Sequence, residues 1–159
     1  MIPAVRLVWE IGALLGEGPV WCPHEQALWF VDIKRGAIHR HVPTTGAFET
    51  FPVGGMPSFI VPTDDGGMLV GSGNGIFRFE REAIGEQIAA IPMAAHNRTN
   101  DATVDAQGRL WLGTMDDDEV LESGALYCLD RGVLHTLPAR AIVTNGPAVS
   151  VDAGMLYFV

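Results

Sequence analysis

The sequence predicts an all-β fold, a β-propeller of which the chain covers about three blades and the start of a fourth. Three observations lead there. A short apolar pattern recurs four times, as Ala27-Leu28-Trp29-Phe30-Val31, Gly67-Met68-Leu69-Val70-Gly71, Arg109-Leu110-Trp111-Leu112-Gly113 and Met155-Leu156-Tyr157-Phe158-Val159, with Leu28, Met68, Leu110 and Leu156 spaced 40, 42 and 46 residues apart. Each copy follows turn chemistry, such as Thr63-Asp64-Asp65-Gly66 or Asp105-Ala106-Gln107-Gly108, the composition of short hairpin loops. Each complete copy is then followed by a strand with a Gly or Ala lead-in, a polar turn and a weaker fourth strand, as in Phe48-Glu49-Thr50-Phe51. Four short strands in about forty residues is the signature of a propeller blade. A β-sandwich also has many short strands, but it has no reason to repeat at constant spacing.

The elements follow in order within one partial domain, 1–159. Blade one lies near 17–52, with Ala27–Val31 and Gly36–Arg40 as its central strands. Blade two lies near 56–92, and the stretch Arg81–Ala95 is read as its outer strand, a short helix being the alternative. Blade three lies near 98–138, and 145–159 opens the next. Blades pack only against neighbours, so a ring closes by burying its two end blades. A final strand Tyr157-Phe158-Val159 left unpaired is an open apolar edge. The expectation is either a truncated product or half of a ring completed by a second copy, a homodimer.

Composition narrows the function. The 159 residues are 48% hydrophobic and 18% charged, which suits a folded domain with its own core. Ten Lys plus Arg against 19 Asp plus Glu give a formal charge of −9, which repels phosphate backbones and argues against nucleic acid and anionic membrane as partners. The N-terminus lacks a basic start followed by an apolar stretch, and no apolar run approaches the roughly 20 residues that span a bilayer. Cys22 and Cys128 have no zinc-site spacing and are too few for a disulfide scaffold. A cytoplasmic protein with two free thiols is expected, and the Asn97-Arg98-Thr99 sequon carries no weight there.

The polar residues at the mouths of the inner strands carry the chemistry. Glu17 lies eleven residues before Leu28, Ser58 ten before Met68, Asn100 ten before Leu110 and Asn145 eleven before Leu156. All four carry a side-chain oxygen, and a propeller brings such positions around one channel. A carboxylate beside amide oxygens is hard-ligand chemistry suited to calcium, magnesium or manganese. The competing structural account is that these residues cap strand ends, but capping does not require the same register in each blade.

Other candidates are weaker. Gly71-Ser72-Gly73-Asn74-Gly75 resembles a phosphate cradle, yet a strand follows it where a helix N-terminus is needed, so it reads as a hairpin turn. His24, His39, His41, His96 and His135 lack zinc spacing, and most are expected at the surface. No Gly-x-Ser-x-Gly elbow marks a serine hydrolase. The run Asp116-Asp117-Asp118-Glu119 reads as a solvated loop on the side of the channel entrance.

Together these segments resemble the gluconolactonase, regucalcin (senescence marker protein) and luciferin-regenerating enzyme family of six-bladed propellers. The resemblance is carried by Leu15-Gly16-Glu17-Gly18-Pro19-Val20-Trp21, Leu28–Ile33, Asn97-Arg98-Thr99-Asn100-Asp101, Gly108–Met115, Ser123–Tyr127 and Thr144-Asn145-Gly146-Pro147, and it is strongest toward bacterial enzymes that open xylonolactone or gluconolactone. It implies a sugar lactone lactonase with one divalent ion (Ca, Zn, Mg, Mn or Fe(II)), held by Glu17 and Asn145. A third ligand, an aspartate that is also the expected base, would lie beyond Val159, so the catalytic residue is not assignable within the chain. Arg98 and Asn100 would hold the sugar. An acidic residue after Gly-Thr-Met would contact it too, by position Asp118, with Asp117 as the alternative because the loop varies. Thr99 stands where Pro or Phe is commoner in the family.

Arg98 and Asn100 lie two apart on an extended segment and point the same way, so the guanidinium can fork to ring hydroxyls. The rival role for Arg98 is an ion pair with Asp101 or Asp118. The rival function for the chain is a metal- or ligand-binding propeller fragment that catalyses nothing. An organophosphate hydrolase on a similar propeller is argued against by the Asn-Arg-x-Asn-Asp segment.

Overall fold

A computed structural model describes residues 4–159. The described residues form antiparallel β-sheets without helix: β1 (Gly16–Cys22), β2 (Ala27–Asp32), β3 (Ala37–Val42) and β4 (Ala47–Pro52) make the first sheet, and β5 (Pro57–Pro62), β6 (Met68–Ser72), β7 (Gly75–Glu80) and β8 (Ala83–Ala90) the second. The third comprises β9 (Asn97–Val104), β10 (Leu110–Asp116), β11 (Gly124–Asp130) and β12 (Val133–Ala141), and β13 (Ala148–Val149) pairs with β14 (Leu156–Tyr157). In every sheet sequential strands are neighbours. The Arg81–Ala95 stretch contains the strand β8, and Gly73-Asn74 turns the β6–β7 hairpin, with Ser72 opposite Gly75.

The sheets stack through alternating side chains of β5. Ile60 joins Trp29, Val31, Ile38 and Val70 in one core cluster, whereas Phe59 and Val61 join Ile76, Leu112 and Tyr127 in another. A strand packed on both faces needs an unbroken apolar run, which is why Phe59-Ile60-Val61 shows no polar alternation. Burying each such side chain contributes about 1.5–3 kcal/mol. Close fit also dictates glycine: a Cβ on Gly71 would overlap the Phe59 ring, and one on Gly113 would overlap Thr144 Oγ1.

At the entry of the chain, the buried Asp32 carboxylate accepts from the backbone N–H groups of Leu14 (2.9 Å), Leu15 (3.0 Å) and Arg35 (3.2 Å). Trp9 lies against Phe30, His39 and Phe48 on the outer face of the first sheet. His39 therefore departs from the surface position expected for most histidines: it is 2% exposed, with Nδ1 bonded to Thr50 Oγ1 at 3.0 Å and Nε2 without a partner. Cys22 and Cys128 are free and buried. No helix among the described residues is long and apolar enough to cross a membrane.

Candidate active site

The inner strands β1, β5 and β9 share one irregularity. Gly18 and Pro19 have only Phe30 to face between the pairs Glu17–Val31 and Val20–Trp29, Ser58 is the extra residue between Pro57–Ser72 and Phe59–Gly71, and Asn100 with Asp101 faces Gly113. A bulge takes its residues out of the ladder and re-aims their side chains. The hydrophobic repeat shows where these strands lie but not that each breaks at the candidate position.

The bulges do not all serve one cavity. Ser58, expected at the channel, is 1% exposed and bonds to Thr99 Oγ1 at 2.7 Å, tying the second sheet to the third. Glu17 and Asp101 instead line one open cavity of about 500 Å³, walled by Val20, Phe59, Val61 and Thr103. Burial raises the Asp101 pKa, and the nearby Glu17 charge adds to it, while N–H donation from Ala102 and Gly146 opposes the rise.

Beside this cavity the predicted sugar and metal residues form one hydrogen-bonded chain. Arg98, 4% exposed, donates through Nη1 to Asn100 Oδ1 (2.8 Å) and to the Thr99 carbonyl (3.0 Å). Asn100 Nδ2 in turn donates to the Thr144 carbonyl (2.8 Å) and to Asn145 Oδ1 (3.1 Å). Thr144 Oγ1 donates to the Thr114 carbonyl at 2.9 Å, and Asn145 exchanges backbone hydrogen bonds with Val159 (2.7 and 3.0 Å). The side chains of Arg98, Asn100 and Asn145 are thus in sequence contact by contact, and Glu17 shares the neighbouring cavity with Asp101.

The ion pair of Arg98 differs from expectation. Its partner is Asp117, with Nε to Oδ1 at 2.7 Å, and neither Asp101 nor Asp118. The exposed Asp118 side chain makes no hydrogen bond or ion pair among the described residues. The reason lies one residue earlier. Asp116 is 2% exposed, and its Oδ2 accepts from Val120 N–H (2.9 Å) and Leu121 N–H (2.7 Å), so the loop is pinned from inside. Donation from Leu121 and then Val120 holds its pKa below the usual carboxylate range. With Asp117 N–H also bonded to the His96 carbonyl (3.1 Å), the register of the acidic loop presents Asp117 to Arg98.

The donor set fits a hard divalent cation. Glu17 offers a carboxylate and Asn145 an amide oxygen, and no Lys or Arg pairs with Glu17 or Asp101 among the described residues. Two carboxylates lining one cavity with no cationic partner are a setting that a bound cation would suit. Among the described residues no three His, Cys, Asp or Glu gather to hold a metal unaided, so amide oxygens have to complete any set built here.

The family model described as the SMP-30/Gluconolactonase/LRE-like region matches residues 15–159. The chain is 32% identical over 148 residues to a 6-deoxy-6-sulfogluconolactonase of Pseudomonas putida, covering 91% of this chain and 51% of that protein. It is 32% identical over 156 residues to the pentonolactonase XacC of Haloferax volcanii, covering 97% and 52% respectively. Among solved structures, a calcium-binding regucalcin from Agrobacterium tumefaciens superposes with a TM-score of 0.91 at 27% identity, covering 98% of this chain and 54% of that one. A luciferin-regenerating enzyme gives 0.82 at 30% identity, covering 92% and 52%. The chain spans about half the length of the curated relatives it matches.

Proposed function

The chain belongs to the SMP-30/gluconolactonase/LRE-like family, and on that premise we propose that it forms consecutive blades of a six-bladed β-propeller that hydrolyses a sugar lactone, such as xylonolactone or gluconolactone, to the aldonic acid. The observation that carries this reading is the unbroken contact chain Arg98–Asn100–Asn145, adjoining the Asp101 carboxylate that lines one cavity with Glu17. Lactonase activity of relatives named sulfogluconolactonase and pentonolactonase agrees with it.

In this reading Glu17 and Asn145 hold one divalent ion, whether calcium, magnesium, manganese, zinc or ferrous iron. When bound, the ion supplies electrophilic polarisation of the lactone carbonyl and stabilises developing negative charge on its oxygen. Arg98 binds and orients. Its Nε is neutralised by Asp117 and its Nη1 is fixed by Asn100 and Thr99, so the guanidinium plane is set before substrate arrives and the donors left over meet ring hydroxyls at low entropic cost. Asp117, half exposed, and Asp118 beside it accept from sugar hydroxyls at the entrance. Asn100 couples the two ends, since any movement of Arg98 is felt at Asn145 through one amide. The attacking water needs a base and the ion a further carboxylate. Both come from additional blades, in a longer chain or in a second copy.

The test is base-titrated lactone opening by chelator-treated protein, with the spontaneous rate subtracted. Added divalent metal should restore hydrolysis of xylonolactone or gluconolactone, and Glu17→Gln should weaken metal binding and abolish the restored rate. No metal-dependent rate on either lactone, from this chain or from a protein that carries the additional blades, would overturn the proposal in favour of a binding protein that catalyses nothing.

A further inference from the structure

We propose that Asp101 is a positioning residue that clamps the Thr144-Asn145-Gly146 turn onto β9 and so fixes where the Asn145 amide oxygen points. The inference rests on the site reading above. β13 and β14 form a sheet of their own, so no strand ladder joins residues 144–146 to the third sheet. Side chains of the β9 bulge make the connection instead, together with Thr144 Oγ1, which donates to the Thr114 carbonyl of β10. Asp101 Oδ1 accepts from its neighbour Ala102 N–H at 2.9 Å, which fixes the carboxylate to its own strand, and Oδ2 accepts from Gly146 N–H at 3.1 Å, 45 residues away.

Asn100 supplies the complementary tie, Nδ2 to the Thr144 carbonyl at 2.8 Å. The peptide group before Asn145 is thus held by Asn100 and the one after it by Asp101. With both flanking peptides fixed, the Cα–Cβ direction of Asn145 has little freedom, which is what orienting a ligand oxygen requires. Gly146 adopts φ +88°, a left-handed backbone that turns its N–H toward the carboxylate at no steric cost. An Asn at 101 would keep one acceptor and lose the other, so the charge and the two oxygens are both used.

Two measurements test this, the first on metal-free protein. In Asp101→Ala the Gly146 amide should lose roughly tenfold or more of its hydrogen-exchange protection, while amides of the β10–β11 ladder keep theirs. In the second, calorimetric titration with Mn²⁺ should show affinity lowered about tenfold or more by Asp101→Ala. The same substitution made on Asn145→Ala should add less than about twofold, because a residue acting through Asn145 has nothing left to position. Asp101→Asn, closer in shape, should give a smaller loss by both measures and stands in if the alanine variant does not fold. Unchanged Gly146 protection would overturn the proposal. So would an equal loss of Mn²⁺ affinity with and without Asn145, which would make Asp101 a ligand in its own right. Failure of the unmodified protein to bind Mn²⁺ would refute the metal-site reading, and the exchange measurement alone would then judge the clamp.

Discussion

Gly113→Ala should damage both stability and the candidate site, and the size of the effect follows from the geometry. Gly113 faces the Asn100–Asp101 bulge on one side and pairs with Leu126 on the other. A methyl group there would overlap Thr144 Oγ1 and sit 2.6 Å from Thr144 Cβ, so Thr144 has to retreat by about 1.5 Å to reach ordinary contact. Thr144 is 2% exposed and holds two hydrogen bonds, to the Thr114 carbonyl (2.9 Å) and from Asn100 Nδ2 (2.8 Å). Losing both costs about 2 kcal/mol, and overpacking adds about 1–3 kcal/mol, for a total near 4 kcal/mol. Gly85→Ala is the control, because its Cβ would meet nothing closer than the Arg78 carbonyl oxygen at 3.5 Å, and it should stay within about 0.5 kcal/mol of the parent. Urea denaturation of both variants reads the difference. Thr144→Ala in the Gly113→Ala background should recover part of the loss, since it removes the hydroxyl overlap but leaves the Cβ in place. Displacement next to Asn145 should also lower lactone hydrolysis by about 100-fold. A Gly113→Ala protein as stable as the Gly85→Ala control would refute the packing argument.

Three further outcomes are expected. Trp111 Nε1 donates to Asp105 Oδ2 at 2.8 Å, whereas Trp29, two repeats earlier with Pro23 in place of that aspartate, buries an Nε1 without a partner. Trp111→Phe should therefore cost about 2 kcal/mol and Trp29→Phe less than about 1 kcal/mol, because the latter also removes an unsatisfied donor; thermal melts of the two would separate them. Burial works to raise the Asp105 pKa, but donation from Trp111, Arg109 and Gln107 outweighs it and brings the value to about 2. That lies below the unfolded value of about 3.9, so the stabilisation is complete above about pH 4 and drains as pH falls toward 2; Asp105→Asn should flatten the acid limb of the stability profile. Finally, Arg98→Ala should raise KM for the lactone by about 10-fold or more with a smaller effect on kcat, measured by initial rates.

Much of this architecture was legible in the sequence because a hydrophobic repeat is written locally. Leu28, Met68 and Leu110 mark β2, β6 and β10 through a recurring short apolar run and turn residues that need no knowledge of partners. Arg98, Asn100 and Asn145 stood out through spacing and resemblance. Asp101 did not, because its second partner is a backbone N–H 45 residues away and nothing in the local pattern announces that. Asp117, and neither Asp101 nor Asp118, pairs with Arg98 because the loop register is set by Asp116 reaching forward to Val120 and Leu121, a contact invisible before folding. Ser58 shared the register of Glu17 and Asn100 yet turned inward, since a bulge decides side-chain direction independently of position along the strand.

The bulge at the head of each inner strand has a consequence for how the protein can change. A residue that takes no part in a ladder contributes little to holding its sheet together, so replacing it leaves the pairing of its neighbours intact. Glu17, Ser58 and Asn100 sit at or beside such breaks. Ser58 and Asn100 are bound by their side-chain ties to Thr99 and Thr144, whereas Glu17 has no such tie among the described residues, so exchanges of its coordinating group can leave the scaffold folded and open new specificities in single steps. The glycines behind them, at 71 and 113, lack that latitude, because the adjoining Phe59 and Thr144 already fill the space.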